Sequence, residues 1–89
     1  MALLIFTSHL KRHLNCDDQN IDGYSVKEIL DNYFLFNQQA RDYILDNQNQ
    51  LRKHVNIFIN NSHIKDRKNL TDPVNANDKI YIFQALSGG

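Results

Sequence analysis

Ser25-Val26-Lys27-Glu28-Ile29-Leu30-Asp31-Asn32-Tyr33-Phe34 is the segment in which cap, periodicity and composition agree. A hydroxyl at Ser25 and a carboxylate three residues on, at Glu28, can each satisfy an orphan backbone N–H, so a helix starts here. Val26, Ile29, Leu30, Tyr33 and Phe34 follow at spacings of three and four, and Lys27, Asp31 and Asn32 point outward. One apolar stripe therefore faces a core. The helix is expected to run to about Phe36, where Asn37-Gln38-Gln39 loosens it.

Upstream, the apolar run Met1 to Thr7 reads as a strand, Ser8 to Asn15 as one helical turn or an irregular crossing, and Asp18 to Asp22 as a short second strand that Gly23 ends. Downstream, Arg41 to Leu45 adds a turn of helix, and Asn47 to Gln50 is a polar loop. Val55 to Ile59 is a strand closed by Asn60-Asn61, residues that tolerate the positive φ of a tight hairpin, and Ser62 to Lys65 returns antiparallel. Asp72-Pro73 and Asn75 to Asp78 are turns, and Lys79 to Phe83 is the last strand. The order predicts an α+β domain: a mixed sheet of four to five strands packed on one main helix, the first and last strands adjacent at its centre. Residues 1–83 form the domain and residues 84–89 a flexible tail.

Strand alternation assigns Leu3, Ile5, Val55, Ile57, Ile59, Ile80 and Ile82 to the face beneath the helix. Phe6, Phe58, Tyr81 and Phe83 fall on the other. One long helix covers one face only, and aromatics on a wet second face are costly unless something binds them, which makes Phe83, Tyr81 and Phe58 candidate docking residues. Alternatively, residues 37–53 cover Phe6 and Phe58, leaving Tyr81 and Phe83 as the contact.

The 89 residues suffice for one domain, 42% apolar and 22% charged, and ten Lys+Arg balance ten Asp+Glu. A zero net charge argues against a strong pull on nucleic acid or an anionic membrane. No apolar run is long enough for a membrane span, and the lone Cys16 can form no internal disulfide, so a cytoplasmic location is the default expectation. Twelve Asn and six Gln are interleaved with apolar residues, which reads as compositional bias and not as a prion-like tract.

His9 and His13 stand at i, i+4, the spacing of paired metal ligands on a helix, but no third ligand accompanies them and a solvated loop is expected, with no metal. Cys16 lies beside Asp17 and Asp18, without the cations that activate a thiol. Three basic pairs, Lys11-Arg12, Arg52-Lys53 and Arg67-Lys68, read as solvated surface, some of it able to steer an acidic patch on a partner. With no nucleophile–base pair and no G-x-x-x-x-G-K loop, a self-contained enzyme is not expected.

The chain ends Gln84-Ala85-Leu86-Ser87-Gly88-Gly89, holding two of only three glycines; random placement would put both there roughly once in a thousand sequences. Glycine has no Cβ, so Gly88-Gly89 can thread a channel too narrow for side chains and present a bare carboxylate. Six residues reach about 20 Å beyond the last strand.

These features together resemble the ubiquitin-like β-grasp sulfur carriers of the ThiS/MoaD type. The resemblance spans nearly the whole chain and is carried by Ile5-Phe6-Thr7 with Leu10 and Arg12, the capped helix through Asn32-Tyr33, His54 to Asn60, Asn77 to Ile80, and Ala85 to Gly89. The Val55 to Asn60 strand and the inserted residues 37–53 look most like the cysteine-synthesis subgroup. Two departures are Asn75-Ala76-Asn77-Asp78, where the family commonly turns on a glycine that Asn77 can replace, and Lys65 to Asn69, which lacks the usual Gly-Gly.

The resemblance implies that the protein is a cosubstrate and not an enzyme. An E1-like adenylyltransferase of the MoeB/ThiF type would use ATP to adenylate the Gly89 carboxylate, with no trimming needed, and the carrier itself would bind no cofactor. A sulfur donor protein would then supply the sulfide that displaces AMP. The Gly89 thiocarboxylate would pass sulfur to an acceptor synthase, for cysteine- or methionine-type products, a specialised metabolite or molybdopterin. Gly88, Ser87, Leu86 and Ala85 would fit the partner's channel, and Phe83, Tyr81 and Phe58 would dock on it. A protein modifier joined through Gly89 to lysines, and a plain binding module with an inert tail, are the alternatives.

Overall fold

The computed structural model describes residues 1–84. In chain order it contains β1 (Ala2–Phe6), α1 (Ser8–Leu14), β2 (Gln19–Ile21), α2 (Val26–Phe34), α3 (Gln38–Ile44), β3 (Val55–Ile59), β4 (Ser62–His63) and β5 (Lys79–Gln84). The sheet order is β2-β1-β5-β3-β4. Only β1 and β5, central as expected, run parallel, with Leu4 opposite Ile80 and Phe6 opposite Ile82. On the other side of β5, Ile57 faces Ile82 and Val55 faces Gln84, so β5 runs one residue past Phe83.

Helix α2 begins where its cap predicts. Ser25 Oγ accepts from the Glu28 N–H at 3.2 Å, and Glu28 Oε1 accepts from the Tyr24 N–H at 2.7 Å, one residue before the position expected of a capping box. Val26, Ile29, Leu30, Tyr33 and Phe34 are all buried. Gly23 makes the entry possible: its φ is +155°, and a Cβ there would lie 2.9 Å from the Ile29 nitrogen.

Two local expectations are corrected. Asn37 does not merely loosen α2; its Oδ1 accepts from the Ala40 N–H at 3.0 Å and caps α3, so α2 stops at Phe34 and α3 starts at Gln38. Ser8 to Leu14 is a full helix, capped by Thr7 Oγ1 at the Leu10 N–H and closed by Asn15 in the left-handed conformation, with Leu10 and Leu14 buried. β4 is only two residues long, after which Ile64 turns inward. Asn60 and Asn77 adopt the positive φ expected of them.

The larger correction concerns β1. Ala2, Leu4 and Phe6 are the buried residues, whereas Leu3 and Ile5 are only half-buried and share the outer face with Tyr81 and Phe58. Every residue of β1 is apolar, so alternation cannot choose its inward face; tertiary packing does, with the Phe6 ring 5.3 Å from that of Tyr33 on α2. The assignments of Val55, Ile57, Ile80 and Ile82 to the core hold.

Candidate functional site

Three of the predicted residues meet on the outer face of the sheet. Phe58 and Tyr81 are cross-strand partners, and the Phe58 ring stands edge-on to Phe83 at 5.2 Å and to His63 at 4.2 Å. All three candidates are half-buried. With Ile5, Thr7, Asn60 and Asn61 they line a shallow depression of about 380 Å³. Residues 37–53 do not line the depression on which Phe58 lies, with His63 and Phe83 beside it, whereas Phe6 is buried against Tyr33 of α2 in a core that also holds Ala40 and Ile44. An apolar, partly wet floor ringed by amide side chains suits a protein contact, because aromatic edges add area at low entropic cost.

β5 leads from this face to the tail. Ala85, Leu86, Ser87, Gly88 and Gly89, the residues expected to carry the chemistry, lie outside the described residues. Their attachment point, Gln84, pairs with Val55 at the start of β3. Gln84 Oε1 is buried with no hydrogen-bond partner among the described residues.

Arg67 braces the strand beside that point. Its guanidinium donates to the Val55 carbonyl at 2.8 Å, the Arg52 carbonyl at 2.9 Å and Asn56 Oδ1 at 3.2 Å. The sequence suggested a solvated charge here, yet this arginine satisfies two carbonyls at the foot of β3, where a rigid multidentate fork serves better than a point charge. Arg52 is likewise engaged, Nε donating to the Asp42 carbonyl at 3.0 Å, while Lys11 pairs with Asp18 at 3.1 Å.

His9 and His13 lie on α1 and not on the expected loop, their rings near-parallel with centroids 6.0 Å apart. His13 packs against Tyr43 and Tyr43 against His54, each at 5.2 Å. Among the described residues no group of three or more His, Cys, Asp or Glu is placed to hold a metal. Cys16 is buried, with its Sγ 3.7 Å from the Leu10 carbonyl. Burial pushes its thiol pKa up, outweighing the hydrogen bond from Tyr33, so it is not set up as a nucleophile. Tyr33 is itself pushed up to about 12 by burial, against the opposing effect of its Asn37 hydrogen bond.

A five-stranded mixed sheet with parallel central strands and α2 packed across one face is a β-grasp fold. The same architecture occurs in the crystal structure of the Amycolatopsis orientalis BexX/CysO complex, with a TM-score of 0.84 at 19% identity and complete coverage of both chains. Mycobacterium tuberculosis CysO gives 0.81 at 15% identity, over 97% of this chain and 100% of that one. SAMP1 from Haloferax volcanii gives 0.78 at 19% identity, over 99% and 98%. The sequence matches the model of the ThiS family over residues 12–89, and the chain belongs to that family. Comparison with curated protein sequences finds no significant match. No helix among the described residues is long and apolar enough to cross a membrane.

Proposed function

We propose that this protein is a sulfur carrier whose reactive group is its own C-terminal carboxylate. The observation that carries the reading is membership of the ThiS family by a match that extends through Gly88-Gly89. The Gly89 carboxylate, an anion, resists attack by sulfide. Transfer of AMP from ATP, with release of pyrophosphate, makes it a mixed anhydride; sulfide then adds to the carbonyl and AMP leaves, giving the thiocarboxylate. The activating enzyme, of the E1-like MoeB/ThiF type, supplies the ATP site. A separate donor protein supplies the sulfide, and an acceptor synthase receives it for a cysteine- or methionine-type product or a specialised metabolite. This chain contributes the substrate atom, a side-chain-free approach through Gly88, and a docking face made by Phe58, Tyr81 and Phe83.

The test is ATP–pyrophosphate exchange by an E1-like enzyme from the same genome. Exchange that requires this protein and is abolished by deleting Gly89 supports the reading. Exchange indifferent to the deletion removes Gly89 from the chemistry.

A second reading has its own support in the likeness to SAMP1, the small archaeal modifier protein 1. The same adenylate would then pass to a lysine amine, and an isopeptide bond between Gly89 and a target lysine is the product that separates the two.

A further inference from the structure

The i, i+4 spacing of His9 and His13 brings two imidazoles together only on a helix, and α1 supplies that helix. Leu10 and Leu14 anchor it in the core, Thr7 caps its start and Asn15 closes its end, so the backbone that carries the pair is held at both ends. The two rings lie at 14° to one another with centroids 6.0 Å apart, and both residues are exposed. His13 also packs on Tyr43 at 5.2 Å, and Tyr43 in turn meets His54. Among the described residues neither imidazole is in an ion pair, and the cation between them in sequence, Lys11, is engaged by Asp18 at 3.1 Å.

We propose that His9 and His13 form a two-ligand site for a divalent transition-metal ion of the nickel, copper or zinc type. A metal–nitrogen bond of about 2.0–2.1 Å added to the radius of the ring puts the ion about 3.2 Å from each centroid, so one ion can span centroids up to about 6.4 Å apart. The observed 6.0 Å is inside that limit, and a tetrahedral angle is reached at about 5.2 Å. Near-parallel rings do not aim their nitrogens at one point. His9 is exposed and its χ2 is a broad torsion, so turning that ring closes the site at small cost, with His13, packed on Tyr43, as the fixed ligand. Two imidazoles fill two positions and water the rest, which makes binding reversible and not that of a closed structural centre. The donor set decides the ion: nitrogen ligands suit nickel, copper and zinc, whereas magnesium and calcium demand oxygen. An ion across this turn also ties His9 to His13 and stabilises a helix of only seven residues. The site uses neither Gly89 nor the outer face of the sheet, and stands or falls apart from the sulfur-carrier reading.

Isothermal titration calorimetry of the untagged full chain with nickel chloride tests this, with magnesium chloride as the control. One nickel ion per chain is expected to bind, and the melting temperature to rise with nickel concentration. His9→Gln and His13→Gln, exposed substitutions whose fold is checked by circular dichroism, are each expected to weaken binding by more than an order of magnitude and to remove the rise in melting temperature. His63→Gln, on β4, is expected to leave both unchanged. Nickel binding no stronger than that of magnesium, binding that survives either α1 substitution and therefore marks an adventitious ion only, or equal loss in His63→Gln would each overturn the proposal.

Discussion

Replacing Arg67 by methionine keeps most of the aliphatic stem and removes the guanidinium alone. Three acceptors then lose the guanidinium, the carbonyls of Val55 and Arg52, at 2.8 and 2.9 Å, and Asn56 Oδ1, at 3.2 Å, although the Arg52 carbonyl keeps the Val55 N–H at 3.1 Å. A hydrogen bond from a charged donor contributes about 1.5–3 kcal/mol, and a buried acceptor left without one costs about 1–3 kcal/mol. Two well-formed bonds set an upper limit of about 6 kcal/mol, but the site is only part-buried and water can reach some of the freed acceptors, which reduces the expected loss to about 2–3 kcal/mol. Urea unfolding monitored by circular dichroism gives the total. Native-state hydrogen exchange gives the location, since protection should fall most at Gln84 and the residues of β3 near Val55, whose pairing holds the base of the tail. A loss below about 0.5 kcal/mol, or a loss spread evenly over the sheet, would refute the argument that Arg67 braces the start of β3.

Gly23→Ala is expected to destabilise by about 1–3 kcal/mol in the same urea assay, because φ is +155° and the new Cβ would sit 2.9 Å from the Ile29 nitrogen. Tyr33 titrates in the fold near 12, above its ordinary value of 10.0, so its contribution is complete below pH 10 and is lost as pH rises toward 12. Thermal unfolding scanned across that window should show the decline, and Tyr33→Phe should flatten it. The Asp66 carboxylate accepts from the Asn69 N–H and the Thr71 hydroxyl, and Asp78 accepts from the Asn75 N–H and Asn60, holding both below the ordinary carboxylate value of 3.8. Their contribution is present above pH 4 and disappears as pH falls through the lowered values, so Asp78→Asn should weaken the acid dependence of the melting temperature. Phe83→Ala should weaken binding to the activating enzyme about tenfold by titration calorimetry while leaving the fold intact; unchanged affinity would take the outer face out of the docking surface.

What the sequence made legible follows from how local each signal is. The start of α2 could be read because Ser25, Glu28 and five apolar residues repeat one message within ten positions. Its end could not, because Asn37 reads equally as a helix breaker and as the cap of a new helix, and only the Ala40 N–H bonded to it decides. The inward face of β1 was unreadable for the opposite reason: with Leu3, Leu4, Ile5 and Phe6 all apolar, the choice belongs to Tyr33, 27 positions after Phe6. Phe58, Tyr81 and Phe83 were placed correctly because β3 and β5 are pinned in register by their inward isoleucines. Arg67 gave no warning, since a guanidinium that binds carbonyls 12 and 15 residues away has no local motif and looks like any basic surface residue. The Gly88-Gly89 signal is one of composition and position, and needed no fold to be seen.

The most direct measurement is the mass of the C-terminal peptide after incubation of the full chain with ATP, an E1-like enzyme and a sulfide source. The account predicts exchange of one oxygen for sulfur, mapped to Gly89 and therefore distinct from oxidation of Met1 or Cys16, and absent when Gly89 is deleted. An unmodified C-terminal peptide, under conditions in which the same enzyme activates a control carrier, would contradict it.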